Sequence, residues 1–199
     1  MSVPNLLVEV HRTDGQIDRF EVFDSEQAKV LVDLLNPAKV FANPSLMLSE
    51  ANCLTTYRSQ SIVRIDVGGA DAPIWPHLGG ASSIREVSED EFKSVSGSEE
   101  LARERMEAWR NPGTKQEGFT EVVLTTGKRI VWRVTMVSSE MVALDSISVA
   151  RSLLNATALH GQRADGATTI INMAHAARLS FYPGPPTTHA RVPSVKRVS

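Results

Sequence analysis

The feature that most constrains this chain is a set of short residue matches near its start that recur in the same order near its end. The matched pairs are Glu9-Val10 and Glu121-Val122, Thr13 and Thr125, Gly15 and Gly127, Phe20-Glu21-Val22 and Trp132-Arg133-Val134, Ser25-Glu26 and Ser139-Glu140, Leu34-Leu35-Asn36 and Leu153-Leu154-Asn155, and Val63-Arg64-Ile65 and Ala177-Arg178-Leu179. Each match alone is weak, but chance similarity need not preserve order. The sequence therefore predicts a tandem duplication of one small unit.

The repeated unit has the pattern of a hairpin followed by a helix and then two more strands. Val8 and Val10 alternate as in a half-buried strand, and Gly15 suits the turn because it can adopt a positive φ. Ser25 is typical of a helix N-cap, which predicts a helix that ends before Pro37. The later apolar segments predict a second hairpin, which makes the unit β-β-α-β-β.

These patterns predict an α+β protein in which two tandem β-β-α-β-β units pack as a pseudo-dimer, joined by a charged helical connector. The predicted divisions are a first repeat at 5–68, a connector at 69–118, a second repeat at 119–182 and a flexible basic tail at 183–199. A unit of about 60 residues is marginally stable alone, so we expect the two units to share one core. A pair of small barrels is the alternative architecture.

The connector contains two features of interest. Ser88 with Glu91 fits a capping box, which predicts a helix there, and Ser98 is placed to cap a second helix. Before them, Trp75 and His77 lie in an apolar loop between proline and glycine residues. This loop is either a ligand or partner contact or, as we favour, a plug in which Trp75 fills one end of a core.

Composition and charge limit the cellular setting and the partners that the sequence predicts. The formal net charge is -2, and Cys53 is the only cysteine, so an internal disulfide is impossible. We see no signal-peptide pattern and no apolar run of about 20 residues, which predicts a cytoplasmic protein without a membrane partner. No acidic residue follows Asp165. The basic residues beyond it form a possible contact arm for nucleic acid, namely Arg178, Arg191, Lys196 and Arg197.

The chain contains none of the motifs that would indicate a catalytic site. Its five histidines do not have the spacing of metal ligands on a helix, and it has no GxxxxGK, GxGxxG or GxSxG motif. We therefore expect no metal and no cofactor. Arg64 and Arg178 occupy matched positions in the two copies, where two arginines near one axis can hold an anion. The alternative, which we favour, is that each arginine pairs with an acid of its own copy.

Three functional hypotheses follow from these observations. The first is a non-catalytic interaction or assembly protein that binds a protein partner or itself through sheet edges, the Trp75 loop or the tail. The second is a nucleic-acid-binding module that uses the basic residues near the end of the chain. The third is a small-molecule-binding protein or enzyme with a site between the repeats, near Trp75 and His77.

Overall fold

The protein has the mixed α+β architecture that the sequence predicts. The computed structural model describes residues 3–50, 52–77, 80–111, 113–137 and 146–183. The strands are β1 (Leu6–Arg12), β2 (Ile17–Val22), β3 (Ser45–Glu50), β4 (Cys53–Arg58), β5 (Ile62–Gly68), β6 (Ala81–Glu86), β7 (Lys115–Leu124), β8 (Arg129–Val137), β9 (Ala158–Gln162), β10 (Thr168–Asn172) and β11 (Ala176–Tyr182). The helices are α1 (Ser25–Leu34), α2 (Glu89–Val95), α3 (Glu99–Arg110) and α4 (Ser146–Asn155).

Nine of these strands form one sheet, in the order β11-β7-β8-β6-β9-β10-β5-β1-β2. The neighbours are antiparallel except β6 and β9, which pair in parallel. The hairpin β3–β4 forms a separate two-stranded sheet. Because β10 pairs with β5, strands from residues 5–68 and from residues 119–182 lie side by side. We refer to these two ranges as the first and second halves.

The two halves follow the same pattern of strand pairing. In the first half β1 pairs with β2 and β5, and β3 pairs with β4. In the second half β7 pairs with β8 and β11, and β9 pairs with β10. The strand register also corresponds, because His11 lies opposite Ile17 and Arg64, and Val123 lies opposite Arg129 and Arg178.

Several local predictions need correction. Each half contains one strand more than the predicted β-β-α-β-β unit, because three strands rather than two follow the helix: β3, β4 and β5 in the first half, and β9, β10 and β11 in the second. The expected hairpins of β4 with β5 and of β10 with β11 do not form, since a 3-10 turn separates each pair and sends the last strand back to the first. The connector also supplies β6, which pairs with both β8 and β9.

The helix caps follow the expected chemistry, with one shift in position. The Ser88 and Ser98 hydroxyl oxygens accept bonds from the backbone N–H groups of Glu91 and Leu101. The cap of α1 is Asp24 rather than Ser25, since its carboxylate accepts the bond from the Gln27 N–H. Either residue type satisfies the unpaired N–H groups of a helix start.

The hydrophobic core of the described residues comprises three clusters, two of which combine residues of both halves. One cluster forms around β1, α1 and the β3–β4 hairpin and also includes Ala158 and Ile170 of the second half. A second cluster forms around β7, β8, β9 and β10 and includes Val63 of the first half. A third places Phe92 of α2 and Leu101 of α3 against β7 and β8.

The described helices include none that is both long and apolar enough to cross a lipid bilayer.

The approach of β9 to β8 and β6 leaves no room for a side chain at Gly161. A Cβ atom there would lie 2.7 Å from Ile84 Cγ2 and 3.0 Å from Trp132 Cε2. We expect Gly161→Ala to lower the free energy of unfolding by about 1–3 kcal/mol through overpacking. The matched control is Gly97→Ala, which has no atom within 4 Å of the added carbon and should change stability little. Urea denaturation of both variants measures the difference; equal effects would contradict the packing argument.

Candidate functional site

The clearest difference between the two halves is the environment of their second hairpins. In the second half, β9–β10 has a neighbouring strand on each side, namely β6 and β5. In the first half, β3–β4 pairs with no further strand among the residues that the structure describes. Strand β4 therefore has an unpaired edge where its counterpart β10 pairs with β5.

Hydrogen-bond alternation shows which backbone groups of β4 point away from β3. The Ser59 N–H donates to the Pro44 carbonyl at 3.0 Å, and in an antiparallel pair every second residue bonds to the same neighbour. Tyr57 and Thr55 therefore bond toward β3. The N–H and C=O groups of Leu54, Thr56 and Arg58 point outward, where they are available to another strand.

The side chains of this hairpin are also more exposed than those of its counterpart. Leu54 is 65% exposed and Met47 is 54% exposed, whereas every residue of β10 is buried. By contrast, the edge of the large sheet at β2 carries the exposed charges Arg19 and Glu21. Charged side chains protect an edge against strand addition. Strand β4 has one exposed charge, Arg58 at its end, and its other outward residues are the uncharged Leu54 and Thr56. The edge of β4 is therefore the better candidate for binding.

A groove of 740 Å³ lies between β4 and the hairpin formed by β1 and β2. Its lining includes Phe20 and Tyr57, whose rings make an edge-to-face contact with centroids 6.4 Å apart. The Tyr57 hydroxyl donates to Asp18 Oδ2 at 2.8 Å. Burial raises the pKa of Tyr57 far above its ordinary value, and the hydrogen bond to Asp18 raises it further, so the phenol stays protonated as a donor.

The charges that line the groove are balanced in number. Three are arginines and three are acids: Arg12, Arg19, Arg58, Asp14, Asp18 and Glu50. A hydrogen bond to Asp18 raises the pKa of Arg12, and the backbone N–H of Gln16 lowers the pKa of Asp14, so both groups stay charged near neutrality. Balanced charge suits a polypeptide with mixed side chains better than a polyanion.

A second polar cluster centres on Asp66 in β5, which is 2% exposed. Its carboxylate accepts bonds from the Thr169 hydroxyl at 2.6 Å and from Arg163 Nη1 at 2.8 Å, and it lies 3.0 Å from Arg64 Nη2. Burial alone would raise the pKa of Asp66, but the hydrogen bond to His11 and the charge of Arg64 outweigh it, so the pKa is lowered. Asp66 thus stays ionised and links β5 to β10 and to the end of β9.

The same cluster contains the potential metal ligands Glu9, His11 and Asp66, whose ligand atoms lie within 4.8 Å of one another. However, Asp66 Oδ2 already contacts the guanidinium groups of Arg64 and Arg163. Two positive charges at that oxygen repel a cation and offset the charge that would attract it. This arrangement suits a structural ion-pair network better than a metal site.

The matched arginines each pair with an acid of their own half. Arg64 lies 3.0 Å from Asp66, and Arg178 lies 3.1 Å from Glu121. Within the described part of the chain, the Nε atom of each arginine is buried and has no hydrogen-bond partner. Burial lowers the pKa of Arg64. These ion pairs match the interpretation that we favoured from the sequence, in which each arginine pairs with an acid of its own copy and the two do not together hold an anion.

The Trp75 loop packs against the second half. Trp75 is 9% exposed, lies in the first core cluster, and meets the His160 ring edge-on. His77 stacks on His160 with centroids 5.0 Å apart, and His160 Nε2 lies 3.3 Å from the Trp75 carbonyl. The sequence predicted Trp75 and His77 as a unit but did not show His160 as their partner, because the two segments are 85 residues apart.

Other residues singled out in the sequence have different outcomes. Arg191, Lys196 and Arg197 lie outside the described residues. Cys53 is exposed at the start of β4. No local sequence pattern marks the unpaired edge of β4, because an edge is defined by which distant strands pair with it.

Comparison with protein-family models, with curated proteins and with solved structures finds no match to this chain.

Loss of the Asp66 charge should destabilise the fold strongly. We expect Asp66→Asn to lower the free energy of unfolding by about 3–5 kcal/mol, because it leaves the buried guanidinium group of Arg64 without its counter-charge. Asp165→Asn removes a partly exposed partner of Arg163, at 2.9 Å, and should cost less than about 1 kcal/mol. Urea denaturation compares the two variants, and similar losses would show that Asp66 has no special role.

The stacked histidines should make stability depend on pH. Burial lowers the pKa of both His77 and His160 below 6.5. As the pH falls below about 6.5, the unfolded chain binds protons that the folded protein does not, so the free energy of unfolding decreases. His160→Gln should make this decrease shallower, since it removes one buried base. Urea denaturation between about pH 7.5 and 5 tests this, and an unchanged slope in the variant would rule out a contribution from His160.

Proposed function

We propose that this chain is a non-catalytic assembly protein that binds another polypeptide by adding an extended strand to the outer edge of β4. The observation that supports this most is the unpaired edge of β4, because the corresponding edge of β10 pairs with β5. Strand addition uses the backbone groups of the edge for affinity and adjacent pockets for specificity. The 740 Å³ groove beside β4 is suited to accept alternate side chains.

We infer further that the two halves are copies of one unit packed as a pseudo-dimer. Beyond the shared pairing, matched hydrogen bonds support this inference. The Thr13 N–H donates to the Ser61 carbonyl at 3.0 Å, and the Thr125 N–H donates to the His175 carbonyl at 2.9 Å. The turn glycines have φ values of 84° at Gly15 and 83° at Gly127. If the halves are copies, β4 corresponds to β10. The way in which β5 pairs with β10 then shows how an added strand would pair with β4.

A cytoplasmic location agrees with this proposal. Cys53 is exposed at the start of the proposed binding edge and is the only cysteine. A reducing compartment would keep this thiol free of intermolecular disulfides that compete with strand binding.

The test uses a labelled peptide with the sequence of residues 61–68, the segment that contains β5. Fluorescence anisotropy should show that it binds the intact protein and that Thr56→Pro weakens binding at least about tenfold, because proline removes an outward N–H and crowds the edge. The Thr56 N–H makes no bond to β3, so the hairpin itself should persist.

Glu21→Pro is the matched control, because it places proline on the exposed edge at β2 and should leave peptide binding unchanged. A scrambled peptide checks that the sequence matters. Equal binding to Thr56→Pro and to the unaltered protein would exclude β4 as the binding edge. Circular dichroism of each variant establishes that it is folded.

A further inference from the structure

The proposed function leaves open which strand β4 binds. Resting on that function, we propose that β4 binds strand β11 of a second copy of this chain, and that two reciprocal β4–β11 contacts close a dimer. The proposal depends on the edges that the fold leaves unpaired, on their register and on the side chains that meet there.

Strand β11 is the second-half counterpart of β5, which is the strand that covers β10. β11 ends the large sheet and pairs only with β7 within the described part of the chain. Arg178 is its only charged residue, and Glu121 already pairs with that side chain. This edge lacks the charged side chains that protect β2, so it too favours strand addition.

The backbone of β11 has its free groups at the positions that this pairing requires. The Leu124 N–H bonds toward β8, so Glu121 and Phe119 bond toward β11, where they face Ser180 and Tyr182. The groups of Leu179 and Phe181 therefore point away from β7. If β11 pairs with β4 in the way that β5 pairs with β10, the backbone groups of these two residues bond to β4.

The register follows from the pairing already present in the chain. Thr168 lies opposite Val67 and Ile170 lies opposite Ile65. The matched positions place Leu54 opposite Phe181 and Thr56 opposite Leu179. All four residues have outward backbone groups in their own strands. The contact would also cover Leu54, which is 65% exposed in the single chain.

The same register gives Arg178 a complementary position. It places Arg178 opposite Tyr57, as Arg64 is opposite Ile171 within the chain. The Tyr57 hydroxyl donates to Asp18, which lines the groove, so the arginine would approach an acid. The Arg178 side chain is 40% exposed at its present site beside Glu121.

The proposal includes a two-fold axis, because a contact between two different surfaces extends indefinitely unless a rotation closes it. Two copies related by such an axis would each place β4 against β11 of the other, so that both contacts form at once and the assembly ends at a dimer. The dimer would thereby reproduce between chains the pairing that β10 and β5 make within one chain.

Light scattering of the intact protein during size-exclusion chromatography measures the association directly. We expect a dimer for the unaltered protein and for Glu21→Pro, and a monomer for Thr56→Pro and for Phe181→Pro. Each of the last two changes removes one outward N–H from one of the two edges. A protein that stays monomeric up to about 100 μM would overturn this inference.

A mixing experiment separates this interface from other ways to dimerise. Thr56→Pro retains an intact β11 edge, and Phe181→Pro retains an intact β4 edge. Mixed in equal amounts, the two monomeric variants should form a heterodimer through one contact, at least about tenfold weaker than the dimer with two contacts. Because the loss of the second contact can weaken association by about 10²–10⁴-fold, the mixture is measured at concentrations at least about a hundredfold above those at which the unaltered protein dimerises. A mixture without heterodimer there would overturn the β4–β11 assignment.

The two proposals can fail separately. If the residue 61–68 peptide binds to β4 but the unaltered protein is a monomer, then the second copy is not the partner and strand binding itself stands. If the peptide does not bind and the protein is a dimer that Thr56→Pro leaves intact, both the use of β4 and this interface are wrong.

Discussion

The antiparallel pairing of β5 with β10 is the contact on which the rest of the structure depends. It makes one sheet from two sets of strands that would otherwise form separate small layers. It also brings Ala158 and Ile170 into the core of the first half and Val63 into the core of the second. A unit of about 60 residues is only marginally stable by itself, so the exchange of core residues across this pairing stabilises both halves.

Polar side chains also reinforce that pairing. Thr169 and Arg163 bond to Asp66, and the Asn172 amide donates to the carbonyls of Ser59 and Ile62 at 2.9 Å each. Such groups are costly to bury unless every partner is present. They therefore favour one register of β5 on β10 over alternatives that would separate a carboxylate from its donors.

The sequence predicted features that depend on neighbours along the chain. The α+β class, the first hairpin around Gly15 and the helix caps at Ser88 and Ser98 all rest on patterns a few residues long, and all are found in the structure. These are the interactions that local propensity controls.

Features that depend on distant partners were missed or assigned wrongly. Strand β6 was not expected because its residues, among them Ser82, Ser83 and Arg85, do not alternate as a buried strand does. The position of β5 between β1 and β10 has no local signature, so a simpler hairpin with β4 was expected instead. The candidate edge at β4 exists because no strand other than β3 pairs with β4 in the described part of the chain. The residues of β4 alone do not predict this.

The separation of β5 from β10 along the chain has a consequence for biosynthesis. Asp66 and Thr169 are 103 residues apart. At about 5–20 residues per second, a ribosome needs roughly 5–20 s to make the second after the first. Throughout that interval the nascent first half has open edges at both β4 and β5, without the strand that covers β5. Chaperone protection of the emerging chain is most needed during those seconds, before β10 is made and can pair with β5.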